Sequence, residues 1–124
     1  MKTKFALFVV ALCMLSCGSA NTTTKVAADD YGYSQKNAIK VGGGGNGPTS
    51  EREYLNRLTG PNGESITYNR RGSCCAFDTP NSLFGGMLDI YEVEIKGDSL
   101  KKILYLNMYD KEKVYAPKGF ILKN

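Results

Sequence analysis

The runs LDIYEVEIK at Leu88 to Lys96 and KKILYLNMY at Lys101 to Tyr109, divided by the turn residues Gly97, Asp98 and Ser99, decide the fold of this chain. Both are rich in aromatic and branched aliphatic residues, and a short turn between two such runs is a hairpin signal. In the first run Tyr91, Val93 and Ile95 alternate with Glu92 and Glu94, so one face is apolar and the other is an exposed polar face. In the second, Ile103 to Leu106 is continuously apolar, which predicts burial on both faces. The hairpin therefore belongs at the centre of a sheet.

Upstream, Pro61, Asn62 and Gly63 turn into Ser65 to Arg70, where Ile66 and Tyr68 alternate with polar residues as in a half-buried strand. Arg71 to Gly86 then reads as a turn-rich loop. Ser50 followed three residues later by Glu53 is a capping box and predicts a helix, which Gly60 and Pro61 stop. Tyr54, Leu55 and Leu58 give that helix one apolar stripe for docking on the sheet, and its charges read as a solvated face. Gly42 to Gly47 holds five glycines in six residues. No Gly-Lys-Ser/Thr follows, so this is a connector and not a phosphate-binding P-loop. Tyr31 to Tyr33 with Ala38 to Val41 supply a first short strand, and Phe120 to Leu122 an edge strand. The expected fold is a single α+β domain over residues 31–124, a small antiparallel sheet of about four or five strands with one packed helix.

The N-terminus reads as an export signal. Lys2 and Lys4 precede the eleven-residue run Phe5 to Leu15, too short to span a bilayer, which needs about 20 apolar residues. Met14, Leu15, Ser16, Cys17 and Gly18 resemble the lipobox of bacterial lipoproteins, which implies cleavage before Cys17 and lipid, including palmitate, on that cysteine. Residues 1–16 are then a lipoprotein signal peptide and 17–30 a flexible, Ser, Thr, Asn and Ala-rich tether. An ordinary signal peptide cut near Ala20 is the alternative.

Loss of sixteen residues leaves 108, with 14 basic against 12 acidic residues, so the formal charge falls from +4 to +2. Near-neutrality and the lack of a Lys/Arg stripe argue against a nucleic-acid partner. The chain has no histidine, which removes Ser-His and Cys-His nucleophile arrangements. Two thiolates fall short of a zinc site, so neither metal nor cofactor is expected.

With Cys13 in the signal and Cys17 lipidated, Cys74 and Cys75 are the remaining cysteines, adjacent in sequence and in an oxidising compartment. Adjacent Cα atoms lie about 3.8 Å apart, closer than the roughly 4.4–6.8 Å of ordinary disulfides. A vicinal disulfide shaping a ligand-contact loop, two reduced buried cysteines and a redox pair are the three readings.

The strings YGYSQKNAIKVGG at Tyr31 to Gly43, SEREYLNRLTGPNGE at Ser50 to Glu64, RRGSCCAFDTPN at Arg70 to Asn81, and LYLNMYD with APKGF towards the end resemble a family of small secreted or lipid-anchored proteins from Bacteroidetes. Members often carry the name 2-dehydro-3-deoxyphosphooctonate aldolase. The resemblance covers nearly the whole domain and implies lyase activity on a sugar-acid phosphate. A chain of this length is too short for the barrel that such aldolases use, which takes about 250 residues. A Schiff-base lyase needs a desolvated lysine, whereas Lys96, Lys101, Lys102, Lys111, Lys113 and Lys118 fall in turns or at strand ends. Glu92 and Glu94 share a strand face, which an exposed polar surface explains.

The expected function is a noncatalytic binding module of the cell envelope, exported and lipid-anchored at the outer membrane or a periplasmic membrane face. Its contact surface is the Arg71 to Gly86 loop, with Arg70, Arg71 and Phe77 as candidate binding residues and an envelope glycan or protein as partner. The alternative is a sugar-acid phosphate lyase in which Arg70 and Arg71 hold the phosphate.

Overall fold

In the computed structural model, which describes residues 27–43 and 45–124, the chain runs β1 (Ile39–Lys40), α1 (Gly47–Asn56), β2 (Leu58–Thr59), β3 (Ile66–Phe77), β4 (Gly86–Ile95), β5 (Lys102–Asn107) and β6 (Ile121–Leu122). The expected signal peptide, Cys17 and the tether as far as residue 26 lie outside the described residues. The hairpin forms as its alternation requires: β4 and β5 pair antiparallel from Asp89 opposite Leu106 to Val93 opposite Lys102. They occupy the middle of a four-stranded sheet ordered β1-β5-β4-β3, and β2 and β6 make a separate antiparallel pair. This is a small α+β fold.

The sheet is mixed where an antiparallel one was expected, because β1 runs parallel to β5. No hairpin joins those two strands. The connection between them contains α1, β2, β3 and β4, long enough for the chain to return in either direction.

One face of the sheet and one face of α1 enclose the core. Tyr91, Val93 and Ile95 of β4, Leu104 and Leu106 of β5 and Ile39 of β1 meet Tyr54 and Leu55 of α1, with Leu58 and Phe120 closing the side. The Tyr54 hydroxyl donates to the Tyr115 carbonyl at 2.6 Å, so its polar end is satisfied where its ring is buried. The apolar run of β5 proves one-sided. Leu104 and Leu106 are fully buried, but Ile103 is 38% exposed on the outer face, where none of the described residues forms a second layer.

Three local expectations are corrected. First, α1 begins at Gly47, not after Ser50: the Ser50 amide donates to the Asn46 carbonyl and Pro48 occupies the first turn, where a missing N–H costs nothing. Glu51 shares the inward face with Tyr54 and Leu55, fully buried, where a solvated charge was expected. Second, the helix ends at Asn56, so Leu58 completes the apolar stripe from β2.

Third, half of the expected loop from Arg71 to Gly86 is strand. β3 continues to Phe77, pairing with β4 through two register shifts, one at Arg71 and one at Cys75. Each β-bulge inserts an unpaired residue and resets which residues face inward, which breaks the alternation that a strand is read from. The true loop is confined to the segment between β3 and β4.

The glycine run approaches the end of β5 closely. A Cβ on Gly42 would lie 2.7 Å from the Tyr109 carbonyl carbon and 2.8 Å from the carbonyl oxygens of Met108 and Asp110. These are backbone atoms, held by the Gly42 amide donating to Asp110. Gly42→Ala is expected to destabilise the domain by about 1–3 kcal/mol through overpacking, read as a lower urea midpoint with an unchanged slope. An unchanged midpoint would show that the loop can move aside.

Candidate functional site

A single row of residues crosses the outer face of the sheet at its β5 C-terminal end. Register pairs Lys40 of β1 with Asn107 of β5, and Cys74 of β3 with Leu88 of β4. Leu88 is 4% exposed although it lies on the outer face, and with Ala38 it forms the floor of a cleft of about 410 Å³. Gln35 and Lys36 line one part of it, and Cys75, Ala76, Phe77 and Asp78, at the end of β3, line another. Phe77 stands edge-on to Tyr109, with ring centroids 5.8 Å apart. Gly86, opposite Phe77 in the register, has no room for a side chain: a Cβ there would lie 2.7 Å from both rings.

The structure joins Cys74 and Cys75 in a vicinal disulfide. Cys75 is the second bulge residue, with φ of +64°, the one non-glycine residue in the left-handed region among the described residues. That conformation is uncommon for a residue with a side chain. The bulge carries Cys75 out of the ladder and into the cleft wall. Lys40 is held by Glu112 at 3.0 Å. Asp110 accepts from Thr79, Asn81 and Asn107 at 2.6, 2.9 and 3.0 Å, bonds that hold its carboxyl below the usual range. Asp110 thus pins the β3–β4 loop to the chain beyond β5, and its oxygens are occupied by that task.

The candidate residues do not share one surface. Phe77 lines the cleft, Arg71 lies on the polar outer face, and Arg70 turns to the helix side. Arg71 pairs with Glu92 at 3.3 Å, and Lys101 bridges Glu92 and Glu94 at 3.0 and 3.2 Å. These contacts hold the Lys101 ammonium pKa above its ordinary value and the Glu92 carboxyl below its own. A Schiff-base amine requires the opposite shift. The lysines among the described residues are all exposed or half-exposed.

Arg70 belongs to a polar cluster beneath the sheet. Its guanidinium donates to Ser73 Oγ at 2.6 Å and to Asp89 Oδ1 at 2.8 Å, and the Ser73 hydroxyl donates to the same carboxylate at 2.8 Å. Asp89 is 1% exposed and Glu51 wholly buried. Tyr91 donates to Glu51 Oε2 at 2.9 Å. Burial, reinforced by the adjoining Asp89 carboxylate, pushes the Glu51 carboxyl up to about 8. Glu51 Oε1 has no hydrogen-bond partner among the described residues, which favours the neutral acid over a carboxylate at this buried position. A buried acid with a raised pKa is a catalytic candidate when it lies in a cleft. Glu51 lines none of the clefts described and acts instead as a neutral polar tie between helix and sheet.

Among the described residues, two further surface clefts adjoin the glycine run. One of about 260 Å³ lies between α1 and the glycine run, lined by Lys40, Ser50, Arg57 and Glu112. Another, of about 400 Å³, is lined by Gly45, Pro48, Ser82 and Tyr109. Neither includes the disulfide or Phe77. Among the described residues no group of three acidic or cysteine side chains has metal-site geometry, and no helix is long and apolar enough to cross a membrane. No protein-family model matches this chain, and comparison with curated proteins and with solved structures found no match.

Proposed function

We propose that this domain is a noncatalytic binding module of the cell envelope, exported and held at a membrane by lipid on Cys17, and that it takes envelope carbohydrate into the cleft between Lys36 and Phe77. One observation carries the binding reading: an aromatic ring, a disulfide and an apolar floor meet the polar ends of Gln35, Lys36 and Asp78 in a single cleft. A sugar presents the same combination, an apolar ring face with hydroxyls or anionic groups at its rim. Ligand pockets commonly pair an apolar lining with a few placed polar groups. The end of β3, the pinned loop after it and the turn before β1, tied through Asp30, Ser34 and Asn37, hold these groups, so little backbone ordering is required on binding.

Two assays test the two halves of this reading. The full chain is expected to incorporate labelled palmitate, and Cys17→Ala to abolish it. The domain is expected to bind soluble peptidoglycan fragments or delipidated lipopolysaccharide core oligosaccharide, and Phe77→Ala to weaken that binding roughly tenfold. Arg71→Ala, whose side chain is engaged by Glu92, should leave the affinity unchanged. Equal loss in both variants would move the site to the polar face of the sheet. The lyase alternative predicts arabinose 5-phosphate formation from the sugar-acid phosphate; turnover abolished by one lysine substitution would replace the binding reading.

A further inference from the structure

Between Asp78 and Asp89 the chain carries no charged residue, and the tip of this segment is fully offered to solvent. Leu83 is 97% exposed and Phe84 98% exposed. They are the central residues of a turn in which the Gly85 amide donates to the Ser82 carbonyl at 3.4 Å. Below the tip, Thr79 and Asn81 are tied to Asp110, and the Asn81 amide donates to the Thr79 hydroxyl at 3.1 Å. A supported base holds two large apolar side chains away from the sheet.

We propose that Leu83 and Phe84 form a finger that enters the interfacial layer of the bilayer carrying the chain's anchor, an inference that rests on the lipid-anchor reading above. Nine residues separate Cys17 from Ala27, the first described residue. Even fully extended, that stretch spans at most about 35 Å, so the finger of an anchored domain stays within reach of the lipid surface. The tip is too small for a stable protein partner, which needs about 800 Å² on each side, whereas one large aromatic side chain supplies about 150–250 Å². A bilayer needs no matching shape. The finger needs little affinity of its own, because the anchor keeps it at high local concentration beside the membrane. An uncharged tip is also what the interface tolerates, since charges resist transfer out of water.

The chain contains no tryptophan, so Phe84→Trp introduces a single reporter at a position too exposed to disturb packing. The full-length anchored variant is reconstituted in phosphatidylethanolamine/phosphatidylglycerol vesicles, with and without spin-labelled lipid. The expected result is a blue-shifted emission that spin-labelled lipid quenches, while a control Ile103→Trp reporter on the outer sheet face is unaffected. Protein that co-floats with the vesicles but gives unshifted, unquenched emission overturns the finger and leaves the anchor standing. Protein that does not co-float, and takes up no palmitate, refutes the anchor and the finger with it. A blue shift that depends on protein concentration and not on vesicles shows a second copy covering the tip, which also overturns the proposal.

Discussion

Glu51→Gln is expected to abolish most of the loss of stability that the domain suffers between mildly acidic and mildly alkaline pH. In the folded state burial and Asp89 raise the Glu51 carboxyl to about 8, from an ordinary 4.5. The native state therefore keeps a proton that the unfolded chain releases above about pH 4.5. Its stabilising contribution is fully present below that pH and is lost progressively as pH rises through 8. Each tenfold change in an acid's dissociation constant corresponds to about 1.4 kcal/mol, so the loss is on the order of a few kcal/mol, a large share of the stability of a small domain. Glutamine keeps an acceptor for Tyr91 and a donor for Asp89 but does not titrate. Urea midpoints of the two proteins should agree near pH 5 and diverge by pH 8, with the variant the more stable. Parallel pH profiles would show that Glu51 is ionised in the folded protein.

The second large effect separates the two faces of β5. Leu104→Ala removes a fully buried side chain at the centre of the sheet and should destabilise the domain by about 2–5 kcal/mol through lost transfer energy and the residual cavity. Ile103→Ala, one residue earlier on the outer face, should cost only about 1 kcal/mol, because over a third of that residue is already in water. Comparable losses would mean that the outer face is covered by something bound to it.

The inward position of Glu51 is legible in the sequence, although acids belong in water as a rule and a solvated charge is the natural expectation there. Glu51, Tyr54, Leu55 and Leu58 stand at the i, i+3, i+4, i+7 spacing of one helix face. Asp89 likewise precedes Tyr91, Val93 and Ile95 at the strand period of two. Periodicity points both acids inward, and what overrides the rule is their mutual contact and the Tyr91 hydroxyl, neither of which spacing reveals. The central hairpin is readable because its two strands are neighbours in sequence and regular in pattern. The rest of β3 is not, since the bulges at Arg71 and Cys75 each displace the alternation by one residue. The parallel return of β1 to β5 and the meeting of Lys36 with Phe77 join segments distant in sequence, which no local pattern records. Of the cleft, sequence offers Phe77 and the adjacent cysteines, while Lys36, Asp78 and the floor at Leu88 require the fold.

Amide chemical-shift mapping of the isotope-labelled domain, titrated with soluble peptidoglycan fragments and separately with lipopolysaccharide core oligosaccharide, tests the carbohydrate cleft most directly. Saturable shifts with one of them, centred on Lys36, Ala38, Cys75, Phe77 and Asp78 and absent in Phe77→Ala, are the predicted result. Shifts centred on the Arg71–Glu92–Lys101 face, or no shifts with either probe, would contradict it.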